Sequence, residues 1–282
     1  MGGSNDGMTT SDRASHPLDL LVRDDHGEPS VFRPENLLRE ARRQRGLPAG
    51  PVPSVCLLDP DGDVVRHLTQ TGRGARSPSW ACYHTGLIET DVSGLRVGVV
   101  GNAVGAPFAV LVAEELFASG CDLLISVTSA GQVADERALP SFVLIERALR
   151  GEGTSHRYLP PAASVDADPS LIGAVAGGLA AAGIATRPGI TWTTDAPFRE
   201  TRSALAAAAA AGALAVEMEA AALYAFARAG DRPVVCFAHV TNQLGQVDGD
   251  FEKGPADGAE EALAVVAAAA RGWLAIRREQ DR

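Results

Sequence analysis

The chain has 282 residues, 46% of them hydrophobic and 21% charged, with a formal net charge of −10. That length holds one large domain or two small ones around a buried core, and the negative balance argues against a nucleic-acid backbone or an anionic membrane surface as partner. Lys253 is the single lysine, so the cations are almost all planar, permanently charged arginine donors suited to anions.

The four cysteines, Cys56, Cys82, Cys121 and Cys236, lack any paired metal-type spacing, and three lie in or beside apolar runs. Buried free thiols in a reducing cytosol, and no metal, are the expectation. Met1 to Ser15 is polar and has no apolar core of a signal peptide, and no segment is apolar enough to span a bilayer. A cytoplasmic protein with no membrane partner is expected.

In chain order, residues 1–16 read as a disordered tail, and 17–53 as an extension holding a brief apolar stretch (Leu18 to Val22) and a short helix. That helix starts at Pro34 and stops at Gly46. Its Arg39, Arg42, Arg43 and Arg45 form a basic face, either solvated or directed at an anion or a second subunit. The regular domain spans 54–282. Val55 to Leu58 is a short strand followed by the acidic turn Asp59-Pro60-Asp61-Gly62-Asp63, which lacks the alternating ligands of a calcium loop. Residues 71–79 read as a Gly/Arg loop. Leu95 to Val100 is a strand, and Gly101 to Pro107 is a glycine-rich turn opening a helix through Phe117. Such a turn, with Gly105 at its centre, can offer backbone N–H groups to a phosphate or sugar, or serve plain packing.

Cys121 to Val127 is a buried strand ending in Thr128-Ser129-Ala130-Gly131, and Phe142 to Ile145 is another. Residues 151–167 read as a loop and 170–182 as an alanine-rich helix. Ile190 to Thr194 is a strand leading into Asp195-Ala196-Pro197-Phe198-Arg199, where Asp195 is expected to cap the next helix or orient the loop. Leu214 to Val216 then runs straight into Glu217-Met218-Glu219 at a helix start. The two carboxylates there are either ordinary first-turn residues or a ligand clamp at the C-terminal edge of the sheet. Pro233 to Val240 is a strand ending in Thr241-Asn242-Gln243, and a closing helix covers 258–278. Strands alternating with helices over 54–278 predict one α/β domain with a largely parallel core sheet.

The order of these signals resembles the nucleoside phosphorylase-I family: GNAVGAP, then TSAGQ, TTDAPF, VEMEAA and VTN. The family includes purine nucleoside phosphorylase, uridine phosphorylase and the methylthioadenosine/S-adenosylhomocysteine nucleosidases. The resemblance covers roughly residues 54–278 and implies an α/β, three-layer sandwich around a twisted mixed sheet that closes partly into a barrel. It implies cleavage of the N-glycosidic bond of a small-molecule nucleoside by a homo-oligomer, a dimer or hexamer, without a cofactor beyond inorganic phosphate as a possible co-substrate. By the same resemblance Glu219 holds the ribose 2′- and 3′-hydroxyls, Met218 packs under the sugar and Glu217 supports them. Asn242 takes the position of a base-contacting residue, with Phe198, Arg199 and Gln243 as further base contacts. An amide donates and accepts hydrogen bonds but delivers no proton, which favours a pyrimidine-like base over adenine.

The phosphate-holding arginines of the family's phosphorylases are missing. Their positions correspond to Asp63, Ser126 and Tyr83 or His84. The hydrolytic branch carries a glutamate at the first position and a Ser-Ala-Gly turn like Ser129-Ala130-Gly131. Hydrolysis is therefore favoured, with Asp63, or Asp61 in a shifted register, as general base for water. Phosphorolysis stays open through Arg33, Arg73 or Arg76, as do a non-catalytic nucleoside binder and a repurposed enzyme of specialised metabolism. His84 and His239 read as core histidines.

Overall fold

The computed structural model describes residues 26–133, 138–246 and 248–280. The tail expected over residues 1–16 and the apolar stretch Leu18 to Val22 lie outside them. In chain order the elements are α1 (Pro34–Arg45), β1 (Val55–Asp59), α2 (Asp63–Thr71), β2 (Gly74–Arg76), β3 (Ile88–Val92), β4 (Leu95–Gly101), α3 (Ala106–Ala118), β5 (Leu123–Gln132) and β6 (Ser141–Gly151). They continue with β7 (Ser164–Asp166), α4 (Pro169–Ala181), β8 (Arg187–Thr194), α5 (Arg202–Ala210), β9 (Ala213–Glu217), α6 (Ala220–Gly230), β10 (Val234–Asn242) and α7 (Ala259–Gln280).

Among the described residues ten strands form one mixed sheet, ordered β10-β6-β8-β9-β5-β1-β4-β3-β2 with β7 beside β6. A further pairing of β10 with β5 closes β10, β6, β8, β9 and β5 into a five-stranded ring. β1, β4, β5 and β10 run parallel, whereas β9 meets β5 and β6 meets β10 antiparallel. The core is thus less uniformly parallel than the alternation of strands and helices suggests. The elements that sequence periodicity missed are short or amphipathic. α2 begins at Asp63, inside the stretch read as a turn, and β2, β3 and β7 are strands of three to five residues, β2 and β7 at edges of the sheet.

Helices layer both sides of the sheet: α3 packs on α6, and α2 and α4 pack on α7. Small residues permit the close approach of α4 to α7. A Cβ on Gly178 would lie 2.3 Å from the Ala268 carbonyl oxygen, and one on Gly272 would lie 2.2 Å from that of Ala174. Helix α1 seats Leu38 and Ala41 against Ala81 and Ala118, and Arg45 donates to the Cys82 carbonyl at 2.8 Å. Under the sheet Tyr224 is fully buried. Its hydroxyl donates to the Ile145 carbonyl at 2.5 Å and accepts the Cys236 N–H at 3.0 Å, tying α6 to β6 and β10. The four cysteines are free and buried. Among the described residues no helix is long and apolar enough to cross a membrane.

Candidate active site

β1, β4, β5 and β10 all end at one edge of the sheet, where open α/β sheets place ligands. Two carboxylates meet this edge from β9. Glu217 is its last residue and 3% exposed; Glu219, 1% exposed, stands just before α6. Neither is a solvated first-turn acid.

Glu217 is satisfied by the protein itself. Its Oε2 accepts the N–H groups of Glu219 and Ala220, each at 2.7 Å, and its Oε1 accepts the hydroxyls of Thr193 at 2.5 Å and Thr191 at 3.2 Å. Burial raises its pKa, and these donors, the two N–H groups among them at the positive end of α6, pull against that rise. Glu219 has fewer partners: the Gly105 N–H at 2.7 Å and the Thr128 hydroxyl at 2.9 Å. A carboxylate offers about four lone-pair positions, so roughly two stay available, the number a vicinal diol needs. Burial first, then the Glu217 charge, pushes the Glu219 carboxyl up to about 8. Met218 between them is half-buried.

One residue beyond Thr128, the Ser129 N–H donates to Asp61 Oδ2 at 2.7 Å. The β1–α2 turn is thereby fixed to the strand that holds Glu219. The glycine-rich turn joins the same edge, since the Asn102 N–H donates to the Asp59 carbonyl at 3.1 Å. Asp59 is 3% exposed and accepts the Val65 N–H at 3.0 Å; burial and the neighbouring charges of Asp61 and Asp63 push it up to about 7. Asp63 is otherwise engaged. It accepts from Lys253 Nζ at 2.5 Å and pairs with Arg66, which also reaches Asp257 at 3.0 Å. Of the two acids weighed from sequence, Asp61 is the one bonded into the clamp strand.

Asn242, 8% exposed at the end of β10, accepts the Leu244 N–H on Oδ1 at 2.9 Å. That bond assigns the amide and leaves Nδ2 with long contacts to Thr241 Oγ1 at 3.2 Å and the Ala130 carbonyl at 3.4 Å. Gln243 is exposed, and its N–H is held by Asp250 at 2.7 Å. Phe198 and Arg199 are exposed in the turn after β8, and Phe198 is fully so; the single chain does not bring them to the carboxylates. Asp195 orients that turn by accepting the Gly153 N–H at 2.9 Å, while Thr201 caps α5. Ser126 is buried two residues before Thr128, on the same face of β5, and its hydroxyl has no partner.

Between the acidic turn, the end of β5 and β10 lies a pocket of about 20 Å³, lined by Asp59, Asp61, Asp63, Ser129, His239 and Asp257 among others. The arginines weighed for a rebuilt anion site do not line it. Arg73 pairs with Glu260 beside His67, Arg33 borders the N-terminal cleft, and Arg76 is exposed at the end of β2. The cations near this pocket, Arg66 and Lys253, were not legible in sequence because they reach it from α2 and from the segment before α7.

A family model described as the phosphorylase superfamily matches residues 55–272. The chain belongs to that superfamily. The uridine phosphorylase of Thermococcus kodakarensis is 27% identical over 243 residues, covering 73% of this chain and 84% of that protein. The crystal structure of the purine nucleoside phosphorylase of Toxoplasma gondii, in complex with immucillin-H, superposes with a TM-score of 0.67 at 17% identity. It covers 81% of this chain and 93% of the other. The resemblance carried by the strand-end motifs and the closed ring of strands therefore agree on the nucleoside phosphorylase-I family.

Proposed function

We propose that this member of the phosphorylase superfamily, a glycosyl bond-cleaving enzyme, hydrolyses a nucleoside. Superfamily membership carries the bond that is broken. The character of the anion position carries the choice of water. Where the resemblance puts a phosphate, this chain has a pocket of about 20 Å³ bordered by four aspartates. Asp63 and Asp257 there are paired with Lys253 and Arg66, but a phosphate dianion beside Asp61 would meet like charge at contact distance, costing about 1 kcal/mol or more even with water-like screening. A water molecule fits the space and the donors.

In this reading Glu219 accepts the 2′- and 3′-hydroxyls of the ribose on its two remaining lone-pair positions and stabilises the cationic ribosyl transition state. Asp61 takes a proton from the attacking water as its oxygen bonds to C1′. The C1′–N bond breaks with its electron pair going to the base, whose developing negative charge meets the Asn242 Nδ2 donor. The departing base then gains its proton from solvent, and Asp61 returns its own to solvent. A donor amide that lacks a transferable proton suits a base leaving as a stabilised anion, which favours uracil-like bases.

The test is release of base from uridine and inosine by protein freed of phosphate. Undiminished release supports hydrolysis; release that returns only when phosphate is added overturns it in favour of phosphorolysis.

A further inference from the structure

Thr193 is the cross-strand neighbour of Glu217 in the parallel β8–β9 pair and is fully buried. A hydroxyl has one hydrogen to donate and lone pairs to accept with. Thr193 donates its hydrogen to Glu217 Oε1 at 2.5 Å and accepts the Ala221 N–H at 2.9 Å. Thr191, two residues back on the same face of β8, adds a second hydroxyl to Oε1 at 3.2 Å. Thr193 thus ties β8 both to the Glu217 carboxylate and to α6.

These bonds converge on Glu219. Glu217 Oε2 holds the Glu219 and Ala220 N–H groups, so Glu217 and Thr193 together grip three consecutive N–H groups where α6 begins. The Glu219 carbonyl accepts the Leu223 N–H at 3.0 Å, which fixes the other side of the same residue. An O–H donor on a carboxylate is one of the stronger kinds of hydrogen bond, and a two-point contact adds geometric demand that a single contact lacks. Both hydroxyls of a vicinal diol meet Glu219 together only if its backbone is held still.

We propose that Thr193 is a positioning residue that sets a preference for ribose over 2′-deoxyribose, by holding Glu217 and the start of α6 so that Glu219 takes two hydroxyls together. This rests on Glu219 as the sugar clamp in the reading given above, and not on whether water or phosphate attacks.

The test compares kcat/KM for uridine and 2′-deoxyuridine, in phosphate buffer so that either nucleophile is available. The wild type should favour uridine. Thr193→Val keeps the branched shape without the hydroxyl and should cut that preference by roughly 10–100-fold. Uridine loses more than 2′-deoxyuridine, which offers the carboxylate one hydroxyl and not two. Thr193→Ser, which restores the hydroxyl, should keep most of the preference. Thr193→Cys, a weak donor, should lose it as valine does and serves if the valine variant does not fold. An equal loss on both substrates in these variants makes Thr193 merely structural and overturns the proposal. Glu219→Gln separates the two claims. If it lowers the preference while Thr193→Val does not, the proposal fails and the clamp stands. If Glu219→Gln leaves the preference unchanged, the clamp itself has failed, and the role of Thr193 with it.

Discussion

The Ser129 N–H donates to the Asp61 carboxylate at 2.7 Å, one residue along β5 from the Thr128 hydroxyl that holds Glu219. The sugar clamp and the acidic turn are therefore parts of one rigid assembly. A general base on a free surface turn would lose the near-attack geometry that makes such a group effective. Here the strand supplies it.

Asp61→Asn should reduce base release by at least about 100-fold, the lower range for losing a general base. Asp63→Asn should change it only a few-fold, because Asp63 is bound to Lys253 and Arg66. Initial rates for the two variants decide the assignment; a larger loss in Asp63→Asn would return the role to that residue.

Glu217→Ala should destabilise the fold by about 2–4 kcal/mol, since it strands two hydroxyls and two backbone N–H groups in a dry interior. Urea unfolding measures the loss. A midpoint close to wild type would mean that water replaces the carboxylate.

Glu219 gives stability a definite pH slope. Its folded pKa, about 8, lies above the ordinary 4.5, so between those values the folded state holds a proton that the unfolded state has lost. Stability then falls as pH rises through this window, by up to about 1.4 kcal/mol per pH unit. Asp59, pushed up to about 7, adds in the same direction. Unfolding free energies from about pH 5 to about pH 8 should decline, and Glu219→Gln should flatten the decline. A rise over that range in the wild type would contradict the buried-acid account.

Glu219→Gln should also lower kcat/KM by roughly 100–1,000-fold, the scale seen when one preorganised electrostatic contact to a transition state is removed, while leaving the thermal midpoint equal or higher. Paired activity and melting curves check both halves. Loss of activity together with collapse of the fold would make Glu219 structural.

Much of this site was readable from the chain because it is built from strand ends. Each motif that carries the resemblance, from Gly105 to Asn242, closes a buried strand or opens the helix after it, and buried strands leave long apolar runs. Where sequence reasoning fell short, the deciding contacts are long-range. Asp63 reads as a free turn acid until Lys253, far along the chain, is seen bonded to it. His239 reads as an ordinary core residue because nothing local reveals that its buried Nε2 ends without a partner. The mixed direction of the sheet follows from the family resemblance and not from the local pattern: the β5–β9 pairing involves only Gly131 and Gln132, too few residues to leave one.

The sugar product formed when phosphate is abundant separates hydrolysis from phosphorolysis. Proton and phosphorus NMR of a uridine digest in phosphate buffer should show free ribose and uracil, with no sugar phosphate. Accumulation of ribose 1-phosphate would contradict hydrolysis, and would mean that the pocket between Asp61 and His239 opens to admit the dianion.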